Sequence, residues 1–151
     1  MCIWLKNISN KPLFNISAFC GLLIILIDQF LKYKIRQNGG FYLCNRGMSF
    51  GIVPPIPIFW FIFSIFLLLL VIFFVFLYNQ ESFSKNLLFF GVFLLLGGAL
   101  SNVLDRLFFG CVLDYISILK KFFPIFNIAD ISIFCGSLFI LVFLIKKPKN
   151  C

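Results

Sequence analysis

The sequence predicts an all-α membrane protein with four transmembrane helices and a small β-like element between helices 1 and 2. Of its 151 residues, 62 % are hydrophobic and only 12 % are charged, and the mean hydropathy is +1.10. Soluble domains average about 45–50 % apolar and about 25 % charged residues. A water-soluble fold of this length could not bury so much apolar surface, so lipid must be the solvent.

Four apolar stretches are long enough to cross a bilayer, which takes about 20 helical residues. They cover residues 13–31, 56–78, 87–104 and 126–145. An even number of spans places both termini on the same side of the membrane. We expect the first stretch to be a permanent span and no cleavable signal peptide, because it is long and carries an aspartate near its end. The whole chain, residues 1–151, is expected to form a single integral membrane domain.

The net charge of +8 comes largely from basic residues at the ends of the apolar stretches. Examples are residues 32–36, 120–121 and 146–149, where lysine and arginine can anchor a span near anionic head groups. This placement is typical of membrane anchors, so we expect no nucleic-acid partner. The basic residues divide almost evenly between the two sides, and the positive-inside rule therefore leaves the orientation open.

Two connections between the spans carry most of the polar residues. Residues 33–55 contain Asn38-Gly39-Gly40, a hairpin-like turn signal, followed by Phe41-Tyr42-Leu43. This pattern predicts a short β-like element outside the membrane. Residues 105–125 contain an apolar stretch that includes Asp114.

The residue types exclude several kinds of chemistry. The chain has no histidine, which removes Ser-His-Asp catalysis, histidine zinc sites and histidine proton shuttles. It has six cysteines but no CxxC pair, and their spacings fit no metal framework. Cys20 and Cys135 lie inside apolar stretches and are interpreted as small hydrophobic residues. We expect no metal and no cofactor.

Four of the five acidic residues are aspartates in or beside the apolar stretches: Asp28, Asp105, Asp114 and Asp130. All four fall on the side where the first span ends and the second begins, so they converge on one membrane face. An aspartate costs about 2.5–3.5 kcal/mol at the centre of a spanning helix and must face protein or water. A functional site is the favoured interpretation, and helix caps with ion pairs are the structural alternative.

These aspartates divide into two kinds by their neighbours in the sequence. Asp28 can pair with Lys32 four residues on, and both Asp28 and Asp105 lie beside bases, which suits a scaffold as well as direct function. Asp114 and Asp130 have no basic residue at helical spacing. If these two meet, one keeps a proton and the other loses it, which is the arrangement of aspartic proteases.

Two other functional classes could use buried acids or a compact bundle. A small transporter or proton-coupled carrier is the main alternative, but many carriers show repeated halves and no repeat is found in this sequence. A non-catalytic assembly protein is the other, and it would not need acids that converge on one face.

Five segments resemble, in order and spacing, the motif set of the lipoprotein signal peptidase (signal peptidase II) family. They are Asp28–Lys32, Asn45–Gly51, Gly97–Arg106, Val112–Ile116 and Phe126–Asp130. Any one of them alone would be a weak signal, whereas five in order at the right helix ends are specific. The resemblance covers nearly the whole chain.

The resemblance implies a membrane aspartyl endopeptidase of the bacterial plasma (inner) membrane. Such enzymes remove the signal peptide from lipidated prolipoproteins by cutting before the diacylglyceryl-modified cysteine. It implies that Asp114 and Asp130 form the catalytic pair. The positions that match residues lining or bracing the family's site are Asp28, Lys32, Asn45, Gly47, Gly98, Asn102, Arg106, Asn127 and Ala129.

The same resemblance implies cytoplasmic termini and an active site and β-like element on the extracytoplasmic side. The expected partners are prolipoprotein substrates and membrane lipids, and we expect a monomer. Three positions differ from the family pattern: Ile131 stands where serine is common, Tyr115 where phenylalanine is usual, and Ser101 where glycine is frequent. Ile131 lacks the hydroxyl of that serine and leaves the aspartate pair intact.

Overall fold

A computed structural model describes residues 11–47, 65, 85–118 and 124–145. Helix α1 spans Lys11–Asn38, α2 spans Lys85–Phe109 and α3 spans Ile128–Ile145. Within these ranges, three helices are long and apolar enough to cross a membrane. They correspond to the first, third and fourth predicted spans.

The predicted second span, residues 56–78, lies outside the described residues except for Ile65, which is helical. The described part of the chain is therefore mostly helical with a small two-stranded sheet. That the chain has four transmembrane helices stays a prediction.

Helix α1 continues to Asn38, beyond the predicted end of the first span at residue 31. The Asn38-Gly39-Gly40 sequence, which we interpreted as a hairpin-like turn, instead ends this helix. Gly39 has a φ of 66°, the left-handed conformation that glycine adopts most easily after the last helical residue. Helix α2 ends in the same way: Gly110 has a φ of 72° and its N–H donates to the carbonyl of Arg106 at 3.1 Å.

The predicted β-like element exists, but its partner comes from the other connection. Strand β1, Leu43–Asn45, pairs antiparallel with β2, Val112–Asp114. Leu43 lies opposite Asp114, and Asn45 lies opposite Val112. A disulfide joins Cys44 to Cys111, immediately before β2. The sequence analysis did not predict this bond, although both cysteines lie in connections on the same side.

The connection after β2 folds back onto itself before α3 begins. Ile116 and Phe126 form an antiparallel bridge with hydrogen bonds of 2.8 and 3.0 Å in both directions. This bridge brings Asn127, at the start of α3, next to the end of β2.

The helices pack closely because glycines face backbone on their neighbours. A Cβ built on Gly97 of α2 would lie 2.5 Å from the carbonyl oxygen of Gly21 in α1. A Cβ on Gly91 would lie 2.9 Å from the carbonyl oxygen of Gly136 in α3. Small residues at such contacts are typical of helices that pack within a bilayer.

In the described part of the chain, polar side chains are buried and many large apolar side chains are exposed, the reverse of a water-soluble protein. The largest fully buried side chains are all polar: Lys32, Asn127, Asp28, Asp105, Asp114 and Ser101. Large apolar side chains such as Phe19, Leu26 and Phe30 of α1 are more than half exposed and form a surface suited to lipid. All four aspartates lie in one network of ion pairs and hydrogen bonds, so their predicted convergence at one end of the helices is observed.

Candidate active site

Asn127 links the two aspartates that the sequence analysis selected as the catalytic pair. Its side-chain Nδ2 donates to Asp114 Oδ1 at 2.7 Å, and its backbone N–H donates to Asp130 Oδ2 at 3.1 Å. Asp114 comes from the end of β2, and Asp130 comes from the first turn of α3. The fold thus brings together two carboxyl groups that lie on different elements.

Asp130 also has a structural role at the beginning of α3. Its backbone N–H donates to Asn127 Oδ1 at 2.9 Å, while its carboxylate accepts the Asn127 N–H. These reciprocal bonds form a capping box, which satisfies amides that a helix N-terminus leaves unpaired. Helix capping, the structural alternative, is therefore present together with the pairing of the aspartates.

Asp114 is held by amides on both of its oxygens. Asn45 Nδ2 donates to Oδ2 at 2.9 Å, and Asn127 Nδ2 donates to Oδ1. Burial, with a smaller contribution from the Asp130 charge, raises the pKa of Asp114 to about 6, although the two amide hydrogen bonds partly oppose this rise. The carboxyl can therefore gain or lose a proton near neutral pH.

Asn102 of α2 connects the pair to the buried lysine. Its Nδ2 donates to Asp130 Oδ1 at 2.8 Å. Its Oδ1 accepts from Lys32 Nζ at 3.0 Å and from Asn127 Nδ2 at 3.3 Å. One amide side chain therefore orients Asp130 and fixes the position of a cation.

Lys32 is fully buried between two aspartates from different helices. Its Nζ lies 2.6 Å from Asp28 Oδ2, which confirms the pairing predicted from the spacing of four residues. It also lies 2.8 Å from Asp105 Oδ2. The cation is therefore the counter-charge shared by these two buried carboxylates.

Asp28 and Asp105 also accept backbone hydrogen bonds from the elements that carry the pair. Asp28 Oδ1 accepts the N–H of Ala129, at the start of α3, at 3.2 Å. Asp105 Oδ2 accepts the N–H of Leu113, directly before Asp114, at 3.2 Å. Each of these aspartates therefore contacts the backbone next to one member of the pair.

Asn45, Gly47 and Arg106 form a small cluster beside Asp114. Asn45 Oδ1 accepts the N–H of Gly47 at 3.0 Å, which turns the chain after β1. Arg106 donates to the Gly47 carbonyl at 3.1 Å and to the Asn102 carbonyl at 3.3 Å. These contacts tie the turn to α2.

Gly98 and Ala129 form the closest approach between α2 and α3 near the pair. A Cβ on Gly98 would collide with the Ala129 carbonyl oxygen, and Ala129 is fully buried. All of the predicted site residues therefore lie in one connected network at one end of the helices. Their catalytic and binding roles stay predictions.

Several members of this network were not predicted from the sequence. Arg36 Nη2 lies 3.0 Å from Asp105 Oδ1, and its guanidinium stacks on Phe109 with 3.6 Å to the ring centroid. Gln29 Nε2 donates to Ser101 Oγ at 2.9 Å and to Asp105 at 3.4 Å. Their positions two turns apart, on the same helix as Asp28 and Lys32, were the only available signal.

The three departures from the family pattern have different consequences. Ser101 Oγ donates to Asp28 Oδ2 at 2.6 Å, so this serine adds a bond that glycine could not make. Ile131 is 44 % exposed, and Ser132 beside it donates to the Leu94 carbonyl at 2.7 Å. Burial and the charge of Asp28 raise the pKa of Tyr115 to about 12, so its hydroxyl stays protonated.

The donor atoms of the site are carboxylates and amides. Within the described ranges, no group of three or more histidine, cysteine, aspartate or glutamate side chains is arranged to hold a metal ion. The arrangement that is present, two carboxyl groups linked by amides in a buried setting, is suited to general acid–base chemistry on water and a carbonyl.

The chain is similar to known signal peptidases over most of its length. The family model of signal peptidase (SPase) II matches residues 20–146. A lipoprotein signal peptidase of Syntrophomonas wolfei is 35 % identical, covering 85 % of this chain and 92 % of that protein. Another, of Wigglesworthia glossinidia brevipalpis, is 37 % identical, covering 78 % of this chain and 86 % of that protein.

A solved structure is similar over almost the same extent. It is a bacterial membrane enzyme determined by the in meso method at 2.3 Å resolution, with a TM-score of 0.77 and 28 % sequence identity. The similarity covers 91 % of this chain and 94 % of that one. Since the family model matches most of the chain, this protein belongs to the signal peptidase II family.

Proposed function

We propose that this protein is a membrane aspartyl endopeptidase that removes the signal peptide from prolipoproteins, cutting before the diacylglyceryl-modified cysteine. The observation that carries the proposal is the contact of Asn127 with both Asp114 and Asp130. Membership of the signal peptidase II family and the names of its relatives support the reaction and the substrate class. No observation favours the alternative, a proton-coupled carrier.

The two aspartates act as a coupled pair in this proposal. The ionised carboxylate takes a proton from water, and the resulting hydroxide attacks the scissile carbonyl. The protonated carboxyl donates a hydrogen bond to that carbonyl oxygen, and a proton then passes to the leaving amine. The raised pKa of Asp114, about 6, supports a state in which one proton is shared between the two groups.

The remaining residues hold this pair in position. Asn127 and Asn102 orient the carboxyl groups, and Lys32, Asp28 and Asp105 brace the elements on which they lie. Gly98 and Ala129 allow α2 and α3 to approach closely. These contacts leave the two carboxyl groups free to react, because each carboxyl oxygen can form a second hydrogen bond.

The substrate enters laterally from the bilayer, with its lipid chains still among the membrane lipids. The segment from Asn38 to Asn45 lies over it at the surface, and Asn45 and Arg46 hold the extended peptide through its backbone. Phe41 is 69 % exposed and Tyr42 is 45 % exposed, which suits aromatic side chains at a membrane interface.

The position of the disulfide supports the orientation that we propose in the bacterial plasma membrane. Disulfides persist on the oxidising side of a membrane, and Cys44–Cys111 lies at the same end as the aspartates. The site then faces the extracytoplasmic side. With four spans in a single domain, including one at residues 56–78, both termini lie in the cytoplasm.

The test is cleavage of a diacylglyceryl-modified prolipoprotein by the purified protein in lipid. Asp114→Asn and Asp130→Asn are each expected to abolish cleavage, since each removes a titrating carboxyl group. Ser137→Ala is the matched control, because the Ser137 hydroxyl is exposed and bonds only within its own helix to Ile133. Full activity in either aspartate variant would show that the assignment of the pair is wrong, and an inactive wild type would refute the reaction.

A further inference from the structure

The Cys44–Cys111 disulfide lies at the edge of the site and no step of the proposed reaction uses it. Cys44 directly precedes Asn45, the residue that donates to Asp114 Oδ2 at 2.9 Å. Cys111 directly follows Gly110, where α2 has ended, and directly precedes β2. The bond therefore connects the strand that carries Asn45 to the start of the strand that carries Asp114.

Few other contacts hold β1 in place among the described residues. The two strands are three residues long each, and a ribbon of two short strands is marginally stable without further support. A Cβ on Gly39 would meet nothing within 4 Å, and the side chains of residues 41–43 are exposed. On the other side, the bond from Arg106 to the Gly47 carbonyl at 3.1 Å is the nearest tie to the helices.

The contacts between the helices do not involve this disulfide. They contact one another through glycines and through the ion pairs of Lys32, on α1, with Asp28 on the same helix and Asp105 on α2. Opening the disulfide should therefore free β1 while the helices keep their arrangement. The two cysteines are 67 residues apart in sequence, so without the bond the two strands must meet across a long loop.

We infer that the Cys44–Cys111 disulfide is a positioning element of the peptidase site, holding β1 so that Asn45 keeps its hydrogen bond to Asp114. This inference rests on the proposed function. Cys44 is exposed whereas Cys111 is buried, so a reagent in water reaches the bond from the Cys44 side. The disulfide acts on Asp114 through Asn45, and this gives a measurable signature.

The signature is a change in the pH dependence of cleavage. The Asn45 amide stabilises the charged form of Asp114 and so lowers its pKa, against the effect of burial. Without this hydrogen bond, the pKa of Asp114 should rise above its present value of about 6. The charged groups that face Asp114 from the packed elements are Asp130 of α3, Lys32 of α1 and Arg106 of α2. They lie on helices, so reduction leaves their contributions in place.

The experiment compares the folded, purified full chain in lipid before and after treatment with the phosphine TCEP. The phosphorus atom attacks one sulfur and the S–S bond breaks. Water supplies the oxygen of the phosphine oxide and the two protons, and both cysteines become thiols. Cleavage of a lipidated prolipoprotein is measured across the acidic to neutral range, and circular dichroism monitors the helices.

Reduction is expected to lower kcat by about 10-fold and to shift the ionisation midpoint upward, with helix content unchanged. Asn45→Ala should reproduce both effects while oxidised, and TCEP should add less than about twofold in that variant, because the two changes act through one contact. A Cys44→Ser/Cys111→Ser double variant should match the reduced enzyme. Cys20→Ser, which removes a free thiol on α1, should stay active and sensitive to TCEP.

The outcomes separate this inference from the proposed function. An oxidised wild type that does not cleave overturns the proposed function and the inference that rests on it. An oxidised enzyme that cleaves with the same rate and pH profile after reduction overturns the inference alone. The inference is also overturned if reduction lowers the cleavage rate of Asn45→Ala by the same factor as that of the wild type. The two changes would then act independently.

Discussion

Asn127 and Asp130 cap each other at the start of α3. The N–H of Asn127 donates to Asp130 Oδ2 at 3.1 Å, and the N–H of Asp130 donates to Asn127 Oδ1 at 2.9 Å. The same Asn127 donates through its side chain to Asp114. A helix cap, a common stabilising device, therefore also sets the position of both carboxyl groups.

Replacing Asn127 separates these two roles. Asn127→Ala should lower the free energy of unfolding by about 1–2 kcal/mol, because the cap is lost, and should abolish most cleavage. Asn127→Ser keeps a capping oxygen but loses the amide on Asp114, so it should lose less stability than the Ala variant and still cleave poorly. Thermal unfolding in detergent and the cleavage assay test both variants. A Ser variant with wild-type activity would contradict the bridging role.

Removing the buried cation should destabilise the whole network. Lys32→Met leaves Asp28 and Asp105 buried without their shared counter-ion, which should cost about 3–5 kcal/mol. Lys34→Met is the matched control, because Lys34 is exposed and lies 5.6 Å from the Phe30 ring centroid. It should change stability by less than about 1 kcal/mol. Equal effects of the two substitutions, measured by thermal unfolding, would contradict this assignment.

Asp114 should make stability fall as pH rises. Its pKa is about 6 in the folded protein against an ordinary value of 3.8, so folding favours the protonated form. Its contribution is fully present below pH 3.8 and is lost as pH rises to about 6, a total of about 3 kcal/mol. The difference in unfolding free energy between wild type and Asp114→Asn, measured against pH, isolates this group. A difference that does not vary with pH would contradict the raised pKa.

The contact between α2 and α3 should not tolerate a methyl group at Gly98. A Cβ there collides with the Ala129 carbonyl oxygen and lies 2.9 Å from the Ile133 side chain. Gly98→Ala should cost about 1–3 kcal/mol and reduce cleavage, because it shifts the start of α3 and Asp130 with it.

Gly40→Ala is the matched control for that substitution. A Cβ on Gly40 would meet only the Ile35 side chain, at an ordinary 3.6 Å. This change should be neutral or stabilising by up to about 1 kcal/mol. If Gly98→Ala behaves like Gly40→Ala in thermal unfolding and cleavage, the close approach of the helices is not required.

Features set by neighbours in the sequence could be predicted without the fold. Asp28 and Lys32 lie four residues apart on one helix, so their pairing follows from helical geometry, and the structure confirms it. The apolar stretches and the convergence of four aspartates at one end likewise follow from length and residue type. The β-like element was predicted from local turn and strand signals, but its strand partner was not.

Long-range contacts account for what was missed. Asp105 was expected to lie beside a base because Arg106 follows it, yet its ion pairs are with Lys32 and Arg36 on another helix. The Asn38-Gly39-Gly40 sequence suits either a hairpin or a helix end, and the continuation of α1 decided for the helix end.

The sequence by itself determined that this chain lies in a membrane and carries its acids at one face, because hydropathy, helix length and residue spacing are local properties. Only the tertiary structure decided how Asp114 and Asp130 meet through Asn127, and that Cys44 bonds to Cys111. These pairs join separate elements, and the glycine contacts between helices and the pairing of β1 with β2 set their distances. The aspartates of the candidate site could thus be identified from the sequence, whereas the hydrogen bonds that influence their protonation depend on packing.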